Sequence, residues 1–128
     1  MLSRITPAAI HPPAANYSHA TSVPPNARWL YLSGQVGIAP DGSIPEDAAA
    51  QAEICFANIR AILAEAGMAP ADLVRLTTYL IDPRDRAGYM AVRDRFVGSP
   101  PPASTLVVIS ALADPRYRIE VEAVAARA

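Results

Sequence analysis

The sequence predicts an α+β fold in which one mostly antiparallel sheet carries two helices on one face, with the element order ββαβαββ. Strand-like runs stand on both sides of a long helical pattern, which favours an α+β sandwich. A hydrophobic content of 52% and a charged content of 18% are typical of a globular chain. No repeat, linker or low-complexity segment divides the 128 residues. We therefore expect a single domain over residues 1–128.

The N-terminal part of the chain predicts a hairpin. Residues 2–5 favour a short edge strand, and the prolines that follow make the next segment irregular. Residues 17–23 predict a strand of mixed polarity, and Pro24-Pro25-Asn26 predicts a turn into a second arm over residues 27–36. The run Trp29-Leu30-Tyr31-Leu32 in that arm has the composition of a buried strand.

Two helices are predicted next. Ser43-Ile44-Pro45-Glu46 has the form of a capping box. From there to residue 66 apolar residues recur at steps of three and four, as one face of a helix requires: Ala48, Ala52, Cys55, Ile59, Ile62 and Ala66. We expect Gly67 to end this helix and Cys55 to be a small core residue, not a nucleophile. A second, more polar helix is predicted over residues 84–97, with its buried side at Ala87, Met90, Ala91 and Phe96.

The remaining strands are predicted at residues 74–81, 105–109 and 117–125. In the last one, apolar Ile119, Val121 and Ala123 alternate with charged residues, as in a strand with one buried face. A sheet with helices on one face leaves its other face and its edges uncovered. Self-association is therefore expected.

Composition excludes several classes of function. The formal net charge of −1 argues against a nucleic-acid surface, and all 11 basic residues are arginine, which excludes a lysine Schiff base. A single cysteine excludes an internal disulfide, and no apolar run is long enough to span a membrane. His19 has no partner at the spacing of metal ligands, so no metal is expected. With no secretion signal in the sequence, we expect a cytoplasmic protein that binds neither nucleic acid nor membranes.

Six motifs spread over nearly the whole chain resemble the RidA/YjgF family, which is known for imine deaminases that act on reactive enamine and imine products of amino-acid metabolism. They are Tyr17, Leu32-Ser33-Gly34-Gln35, the helix over residues 51–67, Thr77-Thr78-Tyr79-Leu80, Pro102-Ala103 and Ile119-Glu120-Val121-Glu122-Ala123. The resemblance implies a chorismate-mutase-like α+β fold. It also implies a homotrimer with small-molecule clefts between neighbouring subunits and no cofactor or metal.

The resemblance also implies site residues. The family's deaminases surround the substrate with a tyrosine, the signature serine, an asparagine of the second helix, an arginine after Pro-Ala and a glutamate of the last strand. Tyr17, Ser33 and Glu120 match and are the candidate catalytic residues, and Gly34 and Gln35 are candidate substrate contacts. The arginine position holds Ser104, and the asparagine aligns with Met90.

Local chemistry leaves alternatives for these residues. Ser33-Gly34-Gln35 is also what a strand needs in order to bulge and turn, because glycine lets the backbone bend. An alternating glutamate such as Glu120 usually marks a solvated face. Against that reading, Arg118 shares the face of Glu120 and would hold it ionised as a site residue.

The serine at position 104 limits the functions that the resemblance predicts. Serine cannot reproduce the bidentate pairing of arginine with a substrate carboxylate, so an ordinary 2-imino acid deaminase is not expected unless Arg28 or Arg118 substitutes. Three classes remain open. They are a deaminase or hydrolase of imine-like, enamine-like or amide-like metabolites, a trimer that binds a metabolite without turnover, and, least favoured, an endoribonuclease or translation inhibitor.

Overall fold

The computed structural model describes residues 1–128 and confirms the predicted α+β class. Strands and helices are bounded as follows: β1 Ser3–Ile5, β2 Ala20–Ser22, β3 Arg28–Val36, α1 Ala48–Glu65, β4 Leu73–Leu80, α2 Arg86–Val97, β5 Ala103–Val108 and β6 Ile119–Arg127. Short 3-10 turns at Pro70–Asp72 and Pro83–Asp85 precede β4 and α2.

The main sheet has four strands in the order β3-β6-β4-β5. The pairs β3–β6 and β4–β6 are antiparallel, and β4–β5 is parallel. The predicted hairpin between residues 17–23 and 27–36 is wrong, because β2 pairs with β1 in a separate two-stranded sheet. Strand β3 pairs instead with β6, which lies about 90 residues later in the chain.

Both helices pack on one face of the main sheet and enclose the core. Strand β6 turns Ile119, Val121 and Ala123 toward the helices, as the alternation in the sequence predicted. Cys55 is fully buried on the sheet side of α1, which confirms its predicted core position.

The predicted start of α1 is wrong, whereas its predicted end is confirmed. Helix α1 is capped by Asp47, whose carboxylate accepts a hydrogen bond from the Ala50 amide at 3.1 Å, so the predicted capping box at residues 43–46 is wrong. Gly67 does end α1, with a φ of +71° that suits glycine.

The predicted buried side of α2 is partly wrong. Phe96 is buried and Met90 is half-buried, but Ala87 and Ala91 are exposed. The core contacts come instead from residues with polar ends or β-branches, which include Tyr89, Val92 and Arg93. Tyr89 is fully buried and its hydroxyl is hydrogen-bonded to that of Thr78 on β4.

The two edges of the main sheet differ. The N-terminal segment covers the start of the β5 edge, where Ser18 forms a bridge with Ala103 and the Ser18 amide donates to the Pro102 carbonyl at 3.0 Å. Strand β3 forms the other edge and is not the buried strand that its composition predicted. Trp29 and Tyr31 are 48% and 75% exposed and stack on the face away from the helices. No helix is long and apolar enough to cross a membrane.

The buried Tyr89–Thr78 pair gives a stability prediction. Tyr89→Phe leaves the Thr78 hydroxyl without its partner in the core, so we expect the free energy of unfolding to fall by about 1–3 kcal/mol. Adding Thr78→Val removes the unpaired hydroxyl and recovers part of the loss. Tyr117→Phe is the matched control, because Tyr117 is a half-buried residue outside this pair, and the change should alter stability by less than about 0.5 kcal/mol. Urea unfolding measures all three variants, and equal stability of Tyr89→Phe and wild type would contradict the prediction.

Candidate functional site

A β-bulge brings the signature sequence and Glu120 together. The register of β3 against β6 shifts between Leu32 and Gln35, so Ser33 and Gly34 lie in a stretch with one extra residue. A Cβ built on Gly34 would lie 1.9 Å from Oε2 of Glu120 and 2.7 Å from its Cδ. Only glycine therefore leaves room for the Glu120 carboxylate where it lies.

Ser33 and Gln35 flank this contact. The Ser33 side chain is exposed at the edge strand, and the Gln35 side-chain amide donates to the Ser33 carbonyl at 3.1 Å. The Gln35 carbonyl accepts a hydrogen bond from the Cys55 thiol at 3.2 Å. The side-chain amide of Gln35 thus stabilises the bulge. This agrees with the prediction that Ser33-Gly34-Gln35 is a sequence in which a strand bulges and turns.

Cys55 lies beneath the bulge but is not a nucleophile. Burial raises the pKa of its thiol to about 12, and the negative charge of Glu120 acts in the same direction. At neutral pH the thiol is therefore protonated.

Glu120 has no cationic partner within the chain. It is half-buried and takes part in none of the seven ion pairs. The predicted pairing with Arg118 is wrong, because the Arg118 guanidinium bonds Asp85 at 3.0 Å and lies 3.9 Å from Asp82. Arg28 does not pair with Glu120 within the chain either, since it lies at the opposite end of β3 and donates to the Ala66 carbonyl at 2.9 Å.

Tyr17 and Ser104 lie at the other side of the sheet. They adjoin the bridge between Ser18 and Ala103, so four strand spacings, about 19 Å, separate Tyr17 from Ser33. Ser104 pairs with Leu76 and so faces the helices, whereas Glu120 pairs with Tyr79 on the open face. Within one chain the structure therefore brings Ser33, Gly34, Gln35 and Glu120 together, but not Tyr17 or Ser104.

Met90 is half-buried on α2, and its side chain packs against the hydrophobic core. The position therefore supplies an apolar contact.

The open face of the sheet carries polar pairs beside Glu120. The Tyr79 hydroxyl donates to Glu122, which raises the pKa of Tyr79, and nearby Glu120 and burial add to the rise. Arg75 donates to the Thr105 hydroxyl at 2.6 Å. Glu122 is therefore occupied by a neighbour, unlike Glu120.

A cavity of about 730 Å³ lies at the far end of the sheet from Glu120. Its two arginines already have partners: Arg4 donates to the Leu73 carbonyl at 2.8 Å, and Arg127 pairs with Asp72 at 3.3 Å. We place the candidate site at the bulge, because the signature sequence and the Glu120 carboxylate meet there.

Sequence reasoning missed two residues near the site. Gln51 is fully buried in α1 and donates to the carbonyls of Pro45 and Arg116. A polar residue beside the apolar stripe of α1 was the available signal. Asp85 holds the Arg118 side chain, and nothing in the local sequence indicated that pairing.

The fold and the bulge define a chorismate-mutase-like α+β protein, and comparison with known proteins identifies the family. The model of the Endoribonuclease L-PSP family matches residues 7–127. A RutC family protein of Pyrococcus abyssi is 36% identical over 88% of this chain and 87% of its own. The chain belongs to the RidA/YjgF family, also called the RutC family, as its motifs predicted.

Solved structures agree with this assignment. A Rid family protein of Yersinia pestis has a TM-score of 0.87 at 33% identity, covering 97% of both chains. TdcF of Escherichia coli, solved with bound serine, has a TM-score of 0.73 at 28% identity and covers 96% of this chain and 94% of its own. The name of TdcF includes the words reactive intermediate deaminase.

The acidic pair around Arg118 gives a pH prediction. Hydrogen bonds from the Arg84 side chain and amide lower the pKa of Asp82 to about 2, and the charges of Arg84 and Arg118 contribute. Because the folded pKa lies below the ordinary value of 3.8, this stabilisation is complete above that pH and is lost as the pH falls toward 2. We expect Asp82→Asn to flatten the fall in the free energy of unfolding over this range. Asp114→Asn should act in the same way, since Arg116 lowers the pKa of Asp114 to about 2. Chemical unfolding at several pH values measures the slopes, and a wild-type slope in both variants would contradict the assignment.

Proposed function

We propose that this protein is a deaminase or hydrolase of imine-like, enamine-like or amide-like metabolites, with a small-molecule cleft between subunits of a homotrimer. Glu120, Ser33 and Tyr17 are the proposed catalytic residues. Gly34, Gln35, Ser104 and Met90 are the proposed contacts that shape the cleft. Ordinary 2-imino acids are proposed to be poor substrates.

The observation that carries the proposal is the Glu120 carboxylate against Gly34. It lies beside a bulge, in space that a Cβ at residue 34 would need, and it takes part in no ion pair of the chain. A carboxylate held at a strand end without a partner is available to a ligand or to a water molecule. Glu122, one alternation further along β6, is bonded to Tyr79 and lacks this availability.

The separation of the candidate residues supports a cleft between subunits. Ser33 and Glu120 lie on β3 and β6, whereas Tyr17 and Ser104 adjoin the opposite edge of the sheet. A small ligand cannot span the roughly 19 Å between Tyr17 and Ser33, so these two residues share a ligand only if they come from two chains. The exposed Trp29 and Tyr31 provide apolar surface for such an assembly.

The proposed reaction needs only water and a proton carrier. Glu120 takes a proton from water as the water oxygen adds to the carbon of the C=N bond, and it passes that proton to the nitrogen, which gives a carbinolamine. Glu120 then moves the proton of the new hydroxyl to the nitrogen as the C–N bond breaks and the C=O bond forms. A carbonyl compound and ammonia or an amine are released. Ser33 and the backbone amides of the bulge are proposed to orient the substrate.

The serine at position 104 and the pairing of Arg118 with Asp85 support a substrate without a carboxylate. The cleft residues of this chain include no free cation, and Arg118 is occupied by Asp85. We therefore propose a neutral substrate or one with an amine or iminium cation, which the Glu120 carboxylate attracts.

A second candidate function is binding without turnover. Ser104 and Met90 favour it, because they replace two polar residues of the family's deaminases. The structure of TdcF with serine is an instance of a relative that holds a small amino acid. RNA cleavage is not proposed despite the name of the family model, since the net charge is −1 and no lysine is present.

The shared cleft predicts how the chains assemble. We expect a sedimentation mass three times the chain's 13.6 kDa at micromolar concentration. The double variant Tyr17→Cys/Ser33→Cys should form inter-chain products with a bis-maleimide shorter than about 19 Å, the within-chain separation. The single variants are controls, and native Cys55 stays unreactive because the pKa of its buried thiol is raised to about 12. A monomer mass, or a double variant that forms no inter-chain product, would overturn the shared cleft.

Because Ser104 stands where the family's deaminases have an arginine, we expect an arginine at this position to raise the deamination of 2-imino acids. We expect wild type to release little ammonia from 2-iminopropanoate beside a known 2-imino acid deaminase. Ser104→Arg should raise kcat/KM by about 30-fold or more, because a buried carboxylate pair is worth roughly 2–5 kcal/mol.

The two glutamates of β6 supply the control. Glu120→Ala and Glu120→Gln should abolish whatever turnover exists, and Glu122→Gln should leave it nearly unchanged because the amide oxygen still accepts from Tyr79. Wild-type turnover at the level of the known deaminase would mean that another group holds the carboxylate.

A further inference from the structure

Gln51 connects three separate segments of the chain through its side chain. It is fully buried in the first turns of α1. Its Nε2 donates to the Pro45 carbonyl at 2.7 Å and to the Arg116 carbonyl at 2.9 Å, and its Oε1 accepts from the Arg118 amide at 2.9 Å. Both donor hydrogens of the amide are used, so the side chain is fixed in one orientation.

The same residue is in backbone-level contact with the end of β3. A Cβ built on Gly37 would lie 2.5 Å from Cβ of Gln51 and 2.8 Å from its Cα. No side-chain rotation relieves a contact that involves Cα. Helix α1 and the residue after β3 are therefore as close as glycine alone allows.

These two contacts meet at the strand pair that carries Glu120. The last residue pair of the β3–β6 ladder is Val36 with Glu120. Gly37 follows Val36 directly, and Arg118 stands two residues before Glu120. Gln51 thus holds both strands at the point where the carboxylate leaves the sheet.

We propose that Gln51 is a positioning residue for Glu120. Its hydrogen bond to the Arg118 amide sets where β6 begins, and its packing on Gly37 sets the distance between β3 and α1. Together they keep the Glu120 carboxylate against Gly34. The inference rests on the proposed function only in taking Glu120 as the group that acts on the ligand.

The test follows the Glu120 carboxyl without a substrate. Full-length protein carrying ¹³C-carboxyl glutamate is studied by NMR, and the Glu120 signal is identified by its loss in Glu120→Gln. In Gln51→Met, a side chain of similar length without donors or acceptor, we expect the chemical shift of this signal to change. Amide exchange at Arg118 should accelerate at least tenfold relative to the slowest core amides, because the amide loses its acceptor.

Leu63→Val is the matched control. Leu63 is also buried in α1 but lies twelve residues further on, about 18 Å along the helix. It should lower global stability while the Glu120 signal and the relative exchange at Arg118 stay as in wild type. A Gln51→Met spectrum in which Glu120 is unchanged would overturn the proposal and leave Gln51 a core residue only.

Gly37→Ala keeps the test decisive if Gln51→Met does not fold. It retains every hydrogen-bonding group of Gln51 but pushes β3 and α1 apart, so the Glu120 signal should shift in the same way. An unchanged signal in folded Gly37→Ala would also overturn the proposal.

Turnover separates this inference from the proposed function. Where activity is measurable, Gln51→Met should lower kcat at least tenfold, whereas the control Leu63→Val should leave kcat nearly unchanged at a temperature where both variants are folded. If Glu120→Gln retains full activity, the proposed function fails, while the NMR result still decides whether Gln51 positions the carboxylate. Equal losses of kcat in Gln51→Met and Leu63→Val would contradict the positioning role.

Discussion

Strand β6 is hydrogen-bonded on both sides, to β3 and to β4, and its register determines both the core and the position of Glu120. Its apolar side chains face the helices, and its two glutamates face the open side. Because side chains alternate along a strand, a shift of one residue would place both carboxylates among the core side chains. The packing that stabilises the fold therefore also keeps Glu120 on the face where a ligand can reach it.

Much of the fold follows from local patterns. The apolar period of α1 predicts a helix, the alternation in β6 predicts a strand with one buried face, and the glycine after α1 predicts the end of that helix. The structure has all three at the predicted places. The prediction was wrong where the deciding contacts are distant in sequence. Strand β3 pairs with β6 instead of its neighbour β2, and that pairing leaves Trp29 and Tyr31 at an exposed edge. In α2 a buried Tyr89 satisfies its hydroxyl on β4, so a residue with a polar end takes the place expected for alanine.

The candidate site was likewise predicted only in part. The Ser33-Gly34-Gln35 sequence predicted a bulge, and the bulge is present, with the Glu120 side chain in the space that glycine leaves open at residue 34. Sequence alone did not predict that Arg118 bonds Asp85, since both residues lie in connecting segments whose approach depends on the whole sheet. Gln51 was overlooked for a related reason. The role of a glutamine next to an apolar stripe cannot be predicted from the sequence, because the three backbone groups that it bonds reach it only in the folded chain.

The N-terminal segment along β5 has a consequence for aggregation. Ser18 bonds the carbonyls of Pro101 and Pro102 and bridges Ala103, so the chain itself covers the start of one edge of the main sheet. A sheet with two bare edges can add copies at either end, as fibrils do. Here a strand from another chain could not pair with β5 from its first residue, because Ser18 already lies there. The two edges are therefore unequal as templates for strand addition, and β3 is the more open of them.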